Sequence, residues 1–165
     1  MSGFNSNNNI IGRIFIDMDG VIVDFDGYMA EHNLPASEIK ILKGAYLAMK
    51  PIPGAVEAVK TLIERGHDVW IATKPPTGVP HAASEKIQWI LNYLPELKRK
   101  MIITPDKGLL GNQDDFLIDD RPHKANCEEF TGRLKVFDTA NKDKWQDILT
   151  YFGEIVNGDY NGKNV

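Results

Sequence analysis

Phe15-Ile16-Asp17-Met18-Asp19-Gly20-Val21-Ile22-Val23-Asp24-Phe25 decides the fold. The apolar residues Ile10, Ile11, Ile14, Phe15 and Ile16 lead into it, and such a run reads as a buried strand. Asp17 and Asp19 follow at once, so both carboxylates fall where the strand ends. In open α/β sheets, ligands bind at the carboxyl ends of strands. A carboxylate is costly to bury unless it is paired or bound to a metal. Two of them here call for a cation or a reaction.

Outward from this segment, strand-like and helix-like patterns alternate. The predicted strands are Gly12 to Asp17, Asp68 to Thr73, Lys100 to Thr104, Asp115 to Asp119 and Leu134 to Asp138. The clearest helix is Pro51 to Gly66, with Val56, Val59, Leu62 and Ile63 on one stripe and Gly66 as its stop. A second is Ser84 to Leu94, with Ile87, Ile90, Leu91 and Leu94 on one face and Pro95 ending it. A third is Lys142 to Ile155, marked by Trp145, Ile148, Leu149 and Phe152. Alternating strands and helices imply a Rossmann-like α/β three-layer sandwich around a central parallel sheet. The domain is expected over 10–156. Between Asp24 and Lys50 the alternation breaks: a turn at Leu34-Pro35-Ala36-Ser37 precedes a helix-like Ser37 to Met49. Residues 24–50 therefore read as a small helical cap inserted after the first strand. The polar stretches 1–9 and 157–165 read as flexible termini.

Composition excludes several classes. The 165 residues suffice for one domain, and 42% hydrophobic with 25% charged residues is ordinary for a globular chain. A net charge of −4 offers no basic face for duplex nucleic acid. The single cysteine, Cys127, forms no intrachain disulfide and fits a reducing compartment. No apolar run approaches the ~20 residues that cross a bilayer. The first nine residues lack the charged region and apolar core of a signal peptide. A cytoplasmic location is expected.

Three further strand ends carry polar groups: Thr73-Lys74, Thr104-Pro105-Asp106-Lys107 and Asp119-Asp120-Arg121. A parallel sheet brings them to the edge that holds Asp17 and Asp19. Asp17, Asp19, Asp119 and Asp120 repel one another and need a divalent ion. All-oxygen ligands favour a hard cation, Mg²⁺ first. Lysine and metal together suit a phosphate.

These motifs in order (DMDGV, a Thr ending an apolar strand, a Lys, an acidic pair after another strand) resemble the haloacid dehalogenase superfamily signature. The stretches FIDMDGVIVDF, PIPGAVEAVKTL, VWIATKPP, IITPDK and FLIDDRP are similar to the 5'(3')-deoxyribonucleotidase family. The resemblance implies a Mg²⁺-dependent phosphomonoesterase acting on deoxyribonucleoside monophosphates through an aspartyl-phosphate. It implies Asp17 as nucleophile and Asp19 as general acid and base. Thr73 and Lys107 would contact the phosphoryl group. The metal would be held by Asp17, Asp19 (through its backbone carbonyl) and Asp120, with Asp119 outside or supporting them. Gly20 would let the backbone turn away from the site.

The chain departs from the family at two places. Lys74 stands where the family commonly has serine, so it either supplies charge to the phosphate or points away. The cap is shorter than in the animal enzymes, and Phe25, Tyr28, Tyr46 and Met49 are the residues available to line a base pocket. Two other readings stay open: a related phosphatase of polynucleotide 3'-phosphates or sugar phosphates, and a nucleotide-binding module without turnover. Taken alone, Asp17 to Gly20 would fit a calcium loop or a turn. Asp106 and Asp114 read as surface or capping groups, His123 as a surface residue and Cys127 as a small buried residue on a helix.

Overall fold

The computed structural model describes residues 12–156. Ile10, Ile11 and both polar ends lie outside the described residues, as do the expectations placed on them. Five strands, β1 (Arg13–Ile16), β2 (Asp68–Thr73), β3 (Met101–Ile103), β4 (Phe116–Asp119) and β5 (Arg133–Val136), form one parallel sheet in the order β3-β2-β1-β4-β5. This is a doubly wound α/β order, and its direction reverses between β1 and β4. The crevice at such a reversal is where open sheets bind ligands.

Alternation along β1 sends Ile14 and Ile16 to one core cluster and Phe15 to another, because successive strand side chains point to opposite faces. The first face carries α4 (Ala55–Glu64), α5 (Pro80–Tyr93) and α6 (Lys144–Val156). The second is covered by Leu110, Cys127 and Phe130. Cys127 opens a 3-10 turn, Cys127–Glu129, where the sequence suggested a helix. Both faces of the sheet are thus covered, the second more thinly.

In α4 the buried stripe is Ala55, Ala58, Val59 and Leu62, and Gly66 follows at φ +88°, the left-handed conformation of a helix stop. In α6, Trp145, Ile148, Phe152 and Ile155 are buried. Helix α5 differs from expectation. Pro80 opens it four residues earlier, and its buried face is Ala82, Glu85, Lys86, Trp89 and Ile90. Ile87 and Leu91, assigned from the sequence to the inner face, are each 39% exposed.

The cap is three short helices. Asp24 accepts from Gly27 N at 2.9 Å and caps α1 (Phe25–His32), a helix the sequence pattern did not reveal. The single helix expected over 37–49 is two, α2 (Ala36–Ile39) and α3 (Ala45–Ala48), separated by a turn in which Gly44 takes φ +85°. The cap's two connections run side by side: Asp24 N donates to Lys50 O at 2.9 Å, and Ile52 N to Ile22 O at 2.8 Å. Trp89 Nε1 donates to Met49 O at 2.9 Å, tying the cap's exit to α5. Trp145 Nε1 donates to Val21 O at 2.9 Å and fixes the loop after Asp19. Each such buried bond contributes about 1 kcal/mol and would cost more if left unmade.

Candidate active site

The strand ends converge on a cavity of about 430 Å³. Asp17, Asp19, Lys74, Lys107 and Asp119 line it, with Tyr46 from the cap. Asp17 follows β1, and its N–H donates to Ile118 O of β4 at 3.0 Å, so its position is set by the sheet. Beyond Asp19 the chain turns sharply, with Met18 O accepting from Val21, Ile22 and Val23 N. Gly20 takes φ +80° there, and a Cβ at that point would collide with the Asp120 carboxylate. Only glycine meets both demands.

Each carboxylate of the first motif is held by its own buried lysine. Lys107 Nζ donates to Asp17 Oδ1 at 2.7 Å and to Asp119 Oδ2 at 2.6 Å. Lys86 Nζ donates to Asp19 Oδ2 at 2.9 Å and to Thr73 Oγ1 at 3.1 Å, and it sits 4.7 Å from the centre of the Tyr46 ring. Asp106 sets up Lys107. Its side chain accepts from Gly108 N at 2.9 Å and from Asn126 Nδ2 at 3.0 Å, capping the 3-10 turn Lys107–Leu109.

A family model described as 5' nucleotidase, deoxy (pyrimidine), cytosolic type C matches residues 40–150. The chain belongs to this family. It is accordingly a hydrolase of phosphoric monoesters. A Staphylococcus aureus protein named as a candidate 5'(3')-deoxyribonucleotidase is 33% identical over 132 residues, covering 74% of this chain and 70% of that one. A Bordetella bronchiseptica protein named in the same way is 27% identical over 187 aligned positions, covering 88% of this chain and 98% of its own. The crystal structure of a Pseudomonas syringae hydrolase superposes with a TM-score of 0.51 at 13% identity, covering 82% of this chain and 89% of that one, which is a likeness of fold. The family match begins at residue 40 and does not include Asp17 or Asp19. No helix among the described residues is long and apolar enough to cross a membrane.

The family site also offers a place for a cation. One carboxylate oxygen from each of Asp17, Asp119 and Asp120 lies within 4.8 Å of the others. Burial pushes the Asp17 carboxyl up to about 7 although Lys107 opposes it, and burial together with Asp119 raises Asp120. Burial alone would lower Lys107; the charges of Asp17 and Asp119 outweigh it and raise it. Asp119 already has partners on both oxygens, Oδ2 with Lys107 and Cys127 Sγ (3.5 Å) and Oδ1 with Arg121 N (2.9 Å). Asp120 Oδ1 is buried with no partner. An orphaned carboxylate oxygen beside a second buried carboxylate fits a hard dication. The Asp19 carboxylate is not in this group and pairs instead with Lys86.

The structure thus brings together Asp17, Asp19, Thr73, Lys107, Asp119 and Asp120. Lys74 lines the cavity as an exposed side chain. The base-pocket expectation is corrected. Of Phe25, Tyr28, Tyr46 and Met49, only Tyr46 lines the cavity, and the other three are packed into the core. Reading the residues one strand end at a time also missed Lys86, because it lies on a helix. Its signal was the spacing of Ala82, Lys86, Trp89 and Tyr93, which puts a lysine in an otherwise apolar stripe.

Proposed function

We propose that the chain is a cytoplasmic, Mg²⁺-dependent phosphatase of deoxyribonucleoside monophosphates, working through an aspartyl-phosphate on Asp17. The observation that carries this reading is the pairing of two neighbouring carboxylates with two separate buried lysines. Asp17 attacks phosphorus, and the bond to the leaving alcohol's oxygen breaks as Asp19 delivers its proton. Asp19 then takes a proton from water, whose oxygen attacks phosphorus and frees Asp17 with inorganic phosphate. The Asp19 side chain is 28% exposed where it lines the cavity, and Lys86 orients it through Oδ2. Lys86 and Lys107 present positive charge to the phosphoryl oxygens, and Thr73 adds a hydroxyl. Asp17 and Asp120 would hold Mg²⁺, with the Asp19 carbonyl beside them and Asp119 bracing the set. The ion supplies further positive charge against the phosphoryl group when bound. The names of the relatives support a deoxyribonucleotide as substrate. The lone buried thiol, Cys127, pushed up to about 12 by burial and by Asp119, suits a reducing cytoplasm.

The test is phosphate release from dUMP or dTMP with Mg²⁺, which should stop in Asp17→Asn. Failure to release phosphate from any nucleotide or simple ester would overturn the reading.

A further inference from the structure

Around the mouth of the cavity stand Lys40, Lys74 and Lys124, from the cap, the β2–α5 loop and the loop after β4. All three are exposed, and none forms an ion pair among the described residues. Arg121, beside them, leans toward Asp120 at 4.0 Å. The inner lysines are different, since both already sit on carboxylates. Three segments remote in sequence therefore present unpaired positive charge to one opening, on a chain whose net charge is −4.

The same cavity has little to grip a base. Among the described residues, Tyr46 is the only aromatic that lines it. That ring is 2% exposed and gives a face to Lys86. A stacking platform is missing where charge is plentiful.

We propose that Lys40, Lys74 and Lys124 receive a second phosphate of the substrate, so that the preferred ester carries another phosphate on the same nucleotide. The inference rests on the phosphatase reading and replaces its monophosphate by a nucleotide that carries a second phosphate. The second phosphate comes either from a free nucleoside bisphosphate or from the neighbouring linkage of a phosphorylated strand end. The rim carries one sign of charge above a floor that also holds Asp17, Asp19 and Asp119. Charge of one sign lining a cleft raises the capture of oppositely charged ligands by about ten- to a thousandfold, and salt weakens the effect.

The experiment compares kcat/KM for thymidine 5'-monophosphate, thymidine 3',5'-bisphosphate and 5'- and 3'-phosphorylated oligothymidylate, at low and high salt. A preference of about tenfold or more for a doubly phosphorylated ligand is expected at low salt, shrinking as salt rises. Preference for the bisphosphate identifies the free nucleotide as the source, and preference for an oligonucleotide identifies the strand end. In Lys40→Ala/Lys124→Ala the ratio should fall toward one. Equal rates on all ligands, or a ratio unmoved by the double substitution, would overturn the proposal. Calorimetric binding of the same ligands to the Asp17→Asn protein reads the rim without turnover. If no ester is hydrolysed, the phosphatase reading fails, while the affinity ratio still decides the role of the rim.

Discussion

Lys86 Nζ reaches Asp19 Oδ2 at 2.9 Å from the inner face of α5, with the side chain 1% exposed. A lysine is placed there at the expense of desolvation, and Asp19, Thr73 and the Tyr46 ring compensate it. Lys86→Met keeps the length and apolar stem but removes the charge. Phosphatase kcat should fall by roughly 10²–10³, the loss typical of removing one well-placed donor to a transition state. Lys86→Arg should not restore it, because a planar guanidinium cannot reproduce a compact ammonium in this slot. Steady-state kinetics with an unfolding midpoint for each variant checks this. Near-normal kcat in a folded Lys86→Met protein would refute it.

Lys107 also matters to stability. It bridges Asp17 and Asp119, and its side chain is 3% exposed. Removing one partner of a buried ion pair leaves charge uncompensated, which costs about 3–5 kcal/mol. Lys107→Met should lose that much in urea unfolding measured without divalent ions. Adding Asp119→Asn should recover part of it, because one of the two stranded carboxylates is gone. Strictly additive losses would show that the bridge carries no coupling.

Asp120 separates stability from ion binding. Its Oδ1 is buried without a partner, and burial and Asp119 raise its pKa. Asp120→Asn should therefore stabilise the ion-free protein slightly by relieving repulsion. It should also abolish the stabilisation by Mg²⁺. At about a hundred times its dissociation constant, Mg²⁺ should add about 2.7 kcal/mol to the unaltered protein, or roughly 5–10 °C in Tm for a chain of this size. Thermal scans with chelator and with Mg²⁺ make the comparison. An unchanged Mg²⁺ shift in Asp120→Asn would remove Asp120 from the ion's ligands.

The sheet was legible because its three central strands are apolar runs that end at a polar residue: Ile16 before Asp17, Ala72 before Thr73, Ile118 before Asp119. A parallel sheet then forces those ends together: Lys107 bridges Asp17 and Asp119, and Lys86 joins Thr73 to Asp19. Lys86 was illegible for a reason in α5 itself. Ile87 and Leu91 offered an apolar spacing as good as that of Trp89 and Ile90, and periodicity counts apolar residues without weighing a buried lysine. Helix α1 escaped because its polar and apolar residues mix around the axis and Gly27 sits in its first turn; only Asp24 as a cap marked it. Phe25, Tyr28 and Met49 misled because an aromatic or soft residue in a cap can face the ligand or the core. Here the cap needs them to bury itself.

His67 gives the fold a pH dependence away from the catalytic groups. It follows Gly66 in the turn from α4 to β2, is 5% exposed, and packs against Phe152 with ring centroids 5.9 Å apart. Burial pushes its imidazole down to about 4, and Arg65 adds to the effect; Nδ1 is buried with no partner that could hold a proton's charge. The unfolded chain takes up a proton near 6.5, and the folded one only near 4. Between these values the unfolded state binds more protons, so stability rises with pH. The contribution is complete above about 6.5 and is lost as the pH falls toward 4, reaching about 3 kcal/mol at most. His67→Leu fills the same apolar site without a titrating group, and its stability should vary less over that window than the unaltered protein's. Urea unfolding at pH 4.5, 5.5 and 7 measures the slope directly. Parallel curves for the two proteins would assign the acid sensitivity to other groups.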